Sequence, residues 1–375
     1  MRIQFGDLRI GETARKHLQD VIKTNWASGG PKLKQFEESW GKLFDYKYNV
    51  AMSSGTDADI NACASLYDFG ANRGDEIIVP ALSFIATSNA VLAAGLKPVF
   101  VDIEKHTLNI NPRKIEEKIT PKTKAIMVVH TMGKPCEMDT ITNIAKKYNL
   151  LVIEDACEAH GAKYKEKYIG HWGDMATFSY YAAHLICCGE GGMVSTNNQK
   201  IAEVLQSTRS HGRKPGTLYF DHIRHGFNSK MNDMEASLGL QGVEEFWNTF
   251  NKRKENLYYL LKRLKDFEKF AWFNIEEKHE VVSPHAFSIT LKDPKFNYEN
   301  LYKYLEDNGI MCKRNFGSIP TQHTAFAFMG HKLGEFPESE YVGNNGLHFG
   351  IHQYLSQDDL DFISDHIHKY FAKYK

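Results

Sequence analysis

The strongest constraint on this chain is an alternation of short apolar runs with amphipathic stretches between Tyr48 and Glu154. Runs such as Ile126-Met127-Val128-Val129 and Leu150-Leu151-Val152-Ile153 show no polar alternation, the pattern of strands buried on both faces. Strands are predicted at 48–52, 76–79, 98–102, 125–130 and 150–154, with helices at 57–67, 83–94, 112–119 and 138–148. Two more strands, 175–180 and 193–196, flank a glycine-rich turn. Strands separated by helices imply right-handed crossovers and a mostly parallel sheet with helices on both sides, an α/β fold. Ligands collect at the carboxyl ends of such strands. That singles out 53–56, 81–84, 130, 155–160 and 179–184.

Helices are predicted before the alternation at 12–25 and 34–44, separated by the breaker Trp26-Ala-Ser-Gly-Gly-Pro31. After Asn197 the pattern changes. A helix at 199–210 leads into a loop at 211–230 rich in glycine and basic residues, then a helical stretch at 232–267 with a break expected within 247–255. Strands at 286–291, 311–316 and 347–351 with helices at 298–308 and 357–374 indicate a smaller α+β unit. The expected division is a large α/β domain at 1–245 and a C-terminal α+β domain at 246–375.

Lys+Arg and Asp+Glu balance at 46 each, and a net charge of zero argues against nucleic-acid or membrane partners. No window holds 18 apolar residues and the N-terminus has no signal-peptide pattern. Six scattered cysteines without a C-x-x-C predict buried free thiols, no metal site and a reducing, cytoplasmic setting.

Two stretches carry chemistry. Ser53-Ser54-Gly55-Thr56 lies between a strand and a helix, where free backbone N–H groups face outward and attract an anion; a plain N-capped helix has the same order. The stretch Asp174–Thr196 predicts strand, exposed turn, strand, with His184 and Gly189-Glu190-Gly191-Gly192 in the turn. Glycines so placed imply a backbone that approaches something closely.

Joined to Pro80-Ala-Leu-Ser-Phe84-Ile-Ala-Thr87, to E-D-A-C-E-A-H-G-A at 154–162, to F-S-Y at 178–180 and to G-F-N-S-K-M-N-D-M-E-A at 226–236, these stretches resemble the DegT/StrS sugar aminotransferases. The resemblance covers nearly the whole chain in the right order. It implies a fold-type I, aspartate-aminotransferase-like PLP enzyme with a mixed, mostly parallel sheet, acting on nucleotide-linked keto-sugars. On that resemblance Gly55, Thr56 and Ser179 would hold the phosphate of pyridoxal 5'-phosphate (PLP) or pyridoxamine 5'-phosphate (PMP), Phe84 would stack on the ring, and Asp155 would keep the ring nitrogen protonated. Glu158 would lie near the ring hydroxyl, where the family often has glutamine and where a carboxylate must bind a proton or turn away. Asn228 would reach the cofactor phosphate of a second subunit, which implies a homodimer with shared active sites. Arg213, Lys230, Lys313 and Arg314 are candidate contacts to substrate phosphate or base; each also fits solvated surface charge.

Position 184 departs from the aminotransferase pattern. Family aminotransferases carry there the lysine that bonds to the cofactor aldehyde, and no lysine lies between Lys167 and Lys200. An imidazole forms no stable imine, but it suits acid–base work near neutral pH. Ala183-His184-x-Ile186-x-x-Gly189-Glu-Gly-Gly192 resembles the histidine-containing branch, the GDP-4-keto-6-deoxy-mannose 3-dehydratases. That branch implies removal of the C3 hydroxyl from a GDP-linked 4-keto-6-deoxy sugar, hexose or heptose, with L-glutamate regenerating PMP, for 3,6-dideoxysugars of surface polysaccharide. One subgroup of such dehydratases uses an iron–sulfur cluster; the scattered cysteines predict none here. Two readings stay open beside this one: a 4-aminotransferase in which histidine replaces the lysine, and a catalytically silent sugar-nucleotide-binding homologue.

Overall fold

The computed structural model describes residues 1–216, 220–293 and 295–372. Seven strands form the central sheet: β1 (Tyr48–Met52), β2 (Glu76–Pro80), β3 (Lys97–Val101), β4 (Thr123–Val129), β5 (Leu151–Asp155), β6 (Met175–Ser179) and β7 (Gly192–Thr196). Their order is β1-β7-β6-β5-β4-β2-β3. Strand β7 is antiparallel to both neighbours, and the remaining pairs are parallel. The sheet is therefore mixed and mostly parallel, as the alternation predicts.

Burial on both faces follows residue by residue. Ile126 and Val128 of β4 join one core with Phe36 and Trp40 of α2 (Pro31–Phe44), preceded in the chain by α1 (Glu12–Thr24). Ala125 and Met127, one residue out of phase, join the opposite core with Ala58 and Ala62 of α3 (Gly55–Ser65) and Val91 of α4 (Ala86–Ala93). The helices α5 (Met138–Tyr148) and α7 (Asp233–Glu244) cover the first face, and α6 (Gln199–Thr208) the second.

Helix α8 (Phe246–Arg263) leaves this layer for a second, antiparallel sheet of β8 (Ala271–Phe273), β9 (Ala286–Leu291), β10 (Cys312–Arg314) and β11 (Gly346–Gly350), in the order β8-β9-β11-β10. Its core unites Leu257 and Leu260 of α8, Leu301 and Leu305 of α9 (Tyr298–Asp307), and Ile363 and Ile367 of the last helix. Two helices lie between β10 and β11, α10 (Ile319–Gln322) and α11 (Pro337–Asn345); the last helix, α12 (Gln357–Ala372), follows β11. The end of the 357–374 prediction lies outside the described residues. Ile3 sits in the same core and bridges Ile310, so the start of the chain is built into this second layer.

The structure corrects several expectations. The helix predicted at 112–119 is two 3₁₀ turns, Pro112–Lys114 and Glu116–Lys118, because the buried residues Pro112 and Ile115 are followed only by exposed or half-buried ones, too short an apolar stripe for an α-helix. The long helix breaks at Glu245, not within 247–255, which lets Phe246 turn in against Phe44. Helix α3 starts at Gly55, two residues before the predicted start. Strand β8 and helix α11 carried no recognisable pattern. Most important, the turn after β6 is exposed only in part: Tyr180, Leu185, Ile186 and Cys188 are buried, His184 is half-buried, and Tyr181 and Glu190 remain exposed. No helix among the described residues is long and apolar enough to cross a membrane.

Trp40 anchors the first core. It is fully buried, meets Phe44, Phe178 and Tyr180 edge-on, and donates its indole N–H to Ser195 Oγ at 3.0 Å. Trp40→Ala is expected to cost about 3–5 kcal/mol, seen as a lower denaturant midpoint. Trp40→Phe is expected to cost less, because it keeps most of the contact area and loses the Ser195 bond.

Candidate active site

The carboxyl ends of β1, β5 and β6 open into a cavity of about 520 Å³, closed on its far side by the second sheet. Of the sequence candidates, Gly55, Thr56, Phe84, Asp155, Glu158, Ser179, His184, Lys313 and Arg314 line it.

The floor begins at helix α3. Its cap is Ser54, whose Oγ accepts from Asp57 N at 3.0 Å. The N–H groups of Gly55 and Thr56, in the first turn, form no backbone hydrogen bond to another described residue. They are the positive end of the helix, open to the cavity. Ser179 is drawn against them: a Cβ on Gly55 would lie 2.6 Å from Ser179 Cβ. Gly192 explains how. A Cβ there would lie 2.2 Å from the Ser54 carbonyl oxygen, so only glycine lets β7 pass the start of α3. The glycine run therefore serves a close approach of protein to protein. Gly191, at φ 149°, likewise passes Met231.

Asp155 ends β5 and is buried. Thr87 Oγ1 of α4 donates to its Oδ2 at 2.8 Å, and Cys157 N donates to its Oδ1 at 3.3 Å. Burial raises its pKa. Phe84, 60 % exposed, leaves a ring face uncovered at the cavity edge. Glu158 turns from the floor toward the 3₁₀ turn after β4, accepting from Met132 N at 2.6 Å and lying 3.4 Å from His285 Nε2. Burial pushes its carboxyl up to about 7.

His184 stands in this partly buried turn. Arg253 of α8, itself fully buried, donates to the carbonyl oxygens of Ala183 and His184 at 3.1 Å each and to Gln353 Oε1 at 2.8 Å. The turn is thus bolted to the second layer. The His184 ring packs 5.1 Å from that of His285, and its Nδ1 is buried without a hydrogen-bond partner among the described residues. Burial, reinforced by the charges of Arg253 and Lys313, drives its pKa well below the ordinary histidine range. The imidazole is neutral at neutral pH.

Sequence reasoning missed Arg253, His285, His348 and Phe5, which sit on elements distant in sequence, and gave no role to Thr87, three residues past Phe84. No lysine lies between Lys167 and Lys200 in the sequence. Lys313 nonetheless enters the cavity from β10, its Nζ 4.0 Å from the centre of the Phe5 ring, with its pKa lowered by burial. Arg314 beside it bonds the Gly343 carbonyl and Asn344 Oδ1. Three candidates stand outside the cavity of this chain. Arg213 stacks on Phe220, and Lys230 donates to Asn228 Oδ1 at 2.5 Å, because the segment 228–230 runs beside Ser53 and past the flank of α3.

These features describe the seat of a phosphorylated pyridine: free amide donors, a carboxylate facing in, and an uncovered aromatic face. The DegT/DnrJ/EryC1/StrS aminotransferase family model matches residues 8–368. The chain belongs to that family. It is similar to the GDP-perosamine synthase of Escherichia coli O157:H7, with 32% identity over 359 residues covering 96% of this chain and 95% of that one. It is also similar to the GDP-4-keto-6-deoxy-D-mannose 3-dehydratase of Yersinia pseudotuberculosis, at 31% over 358 residues and 90% of each chain. Among solved structures, the E. coli 3-dehydratase with bound hydrated PLP superposes with a TM-score of 0.88 at 27% identity, over 98% of this chain and 99% of that one. The protein is an enzyme of the aminotransferase fold that uses PLP or PMP, and the donor set on the cavity floor fits that cofactor.

Glu158 gives a pH test. From about 4.5, its ordinary value, up to about 7, the folded chain keeps a proton that the unfolded chain has lost, so stability falls as pH rises through that window. Glu158→Gln removes this slope. Between about pH 4 and pH 8 the variant is expected to gain on the parent chain by up to roughly 3 kcal/mol, measured by denaturant unfolding of the cofactor-free protein at both pH values.

Proposed function

We propose that the protein is a PMP-dependent 3-dehydratase of a GDP-linked 4-keto-6-deoxy sugar, hexose or heptose, in dideoxysugar synthesis for surface polysaccharide. One observation carries the reading: the residue held at the wall of the cavity, with its turn bolted to α8 by Arg253, is a half-buried histidine, at the position where the family resemblance places the lysine of the aminotransferases.

Gly55, Thr56 and Ser179 would hold the phosphate, Phe84 would cover one face of the ring, and Asp155 would face the ring nitrogen. The bound cofactor supplies an amine that engages the sugar ketone and a ring that withdraws electrons from the adjoining C–H bond. Within that frame His184 acts twice. With the cofactor bound, the neutral imidazole would take a proton from the carbon beside the amine. Its low pKa then makes the imidazolium a strong acid, which gives the proton to the C3 oxygen so that it leaves as water. Arg253 fixes the backbone of Ala183 and His184, so the ring swings only about its side-chain bonds. Glu158, proton-bearing or turned to Met132, spares the ring oxygen a facing negative charge. Lys313 and Arg314 supply positive charge for the diphosphate or for the carboxylates of L-glutamate, the amino donor that renews PMP. Asn228, outside its own cavity, would serve that of a second copy in a homodimer with shared sites, with Lys230 beside it as a substrate contact.

The competing reading is 4-amination of the same class of sugar, which the similarity to GDP-perosamine synthase favours. Incubation with PLP, glutamate and GDP-4-keto-6-deoxymannose decides, by mass. Loss of the C3 oxygen with release of ammonia is expected; an added amino group with that oxygen retained would refute dehydration. His184→Asn is expected to lower elimination at least about 100-fold, the scale of a lost general acid–base, while cofactor absorbance persists. Borohydride treatment of the PLP-loaded protein is expected to leave the chain unlabelled. A pyridoxyl adduct on Lys313 would instead show that this lysine replaces the one absent at 184.

A further inference from the structure

Beneath the proposed ring position lies a second carboxyl that the chemistry above does not use. Asp59, one turn into α3, is 1 % exposed and lines the same cavity as Asp155. Its Oδ1 accepts from Thr177 Oγ1 of β6 at 2.6 Å. Carboxylate oxygens of Asp59 and Asp155 and the Cys157 sulfur all lie within 4.8 Å of one another. No lysine, arginine or histidine forms an ion pair with either aspartate among the described residues. Of the other titratable groups around them among the described residues, only His130 can bring positive charge, and it acts on Asp155. Cys63 on α3 and Cys157 after β5 are thiols that burial keeps protonated, and Glu158 is acidic. His130 at the end of β4 accepts from Cys136 N with Nδ1 and faces Glu154 with Nε2, and any positive charge on it favours the ionised form of Asp155.

We propose that Asp59 and Asp155 hold one proton between them, carried by Asp59, so that Asp155 alone presents a negative charge to the cofactor nitrogen. This rests on the cofactor assignment only for the last clause; the shared proton is a property of the empty chain. Two adjacent carboxylates in a dry floor repel strongly, and one of them binds a proton instead. Burial and the Asp155 charge both raise the Asp59 pKa, in keeping with this division. Asp155 has the stronger claim to the charge, because it accepts from two donors, Thr87 and Cys157, against one for Asp59. The result is a floor of charge −1, which a single protonated ring nitrogen neutralises. Asp59 is thus a positioning residue that acts through Asp155. Protons do not move in two independent steps here, and the pair titrates as a unit.

The test uses cofactor-free protein first. Infrared spectroscopy, with carboxyl-labelled aspartate to assign the band, is expected to show one protonated carboxylic acid at neutral pH that disappears in Asp59→Asn. Asp155→Asn is expected to keep the band but move its titration to lower pH, because the neighbouring charge is gone. Absence of any protonated aspartate in the parent chain at neutral pH would overturn the proposal, and this measurement needs no variant to fold. In PLP-loaded protein, Asp59→Asn exchanges one neutral group for another. The pH at which the cofactor absorbance reports loss of the ring proton is then expected to stay within a few tenths of a unit. A fall of a unit or more would mean that Asp59 carries charge, and would overturn the assignment. If the chain failed to bind PLP at all, the infrared result would still stand or fall by itself.

Discussion

Everything at this site depends on how closely β7 passes the start of α3. Gly192 lies against the Ser54 carbonyl with no room for a side chain. Since β7 runs between β1 and β6, that contact brings the end of β6 to the first turn of the helix. Two unsatisfied amides and the Ser179 hydroxyl are thereby held at one point, and the helix dipole adds to their field. A bulkier residue at 192 would separate them before it touched any ligand. The glycine is a requirement of the frame, and the anion seat is its consequence.

The parallel architecture supplies the remainder. Asp155 ends β5 beside the parallel strand β6, level with Thr177, while Thr87 of α4 donates to its carboxylate and orients it. The second sheet then closes the cavity with Phe5, His285, Lys313 and His348. Its attachment is firm. Arg253 crosses from α8 to the carbonyls of the His184 turn, and the chain's own start, at Ile3, is packed among the small sheet's side chains. A buried arginine bonded to three oxygens loses less on desolvation than an unpaired one, and it leaves no orphaned carbonyl in the turn.

Much of this was legible in the sequence. Doubly buried strands announce themselves by runs such as Ile126–Val129, because residues of both phases must be apolar. The cavity floor was legible too, since Ser54, Gly55, Asp155 and Ser179 sit where strands end. What escaped notice came from elements far along the chain or from weak patterns. Arg253 looks like any charge on an amphipathic helix, and only tertiary packing turns it inward. Lys313 and Arg213 were indistinguishable as isolated basic residues, yet the fold brings one into the cavity and lays the other against Phe220. The turn carrying His184 read as exposed because glycine and polar residues suggest a surface loop. Its apolar members Leu185, Ile186 and Cys188 instead pack beneath it.

That burial is what gives His184 its character. An exposed imidazole would be part protonated at neutral pH, so part of the chain would lack the free base. In the dry wall the charged form is costly, with Arg253 and Lys313 adding repulsion, so the neutral base dominates and its conjugate acid is short-lived. The same desolvation acts on the carboxyls below with the opposite sign, favouring their protonated forms. One physical term, loss of water, therefore prepares a base above the floor and limits the negative charge within it. A lysine at 184 would respond differently, losing its own proton and becoming a nucleophile toward an aldehyde. With histidine at that position, the same cavity is suited to moving protons.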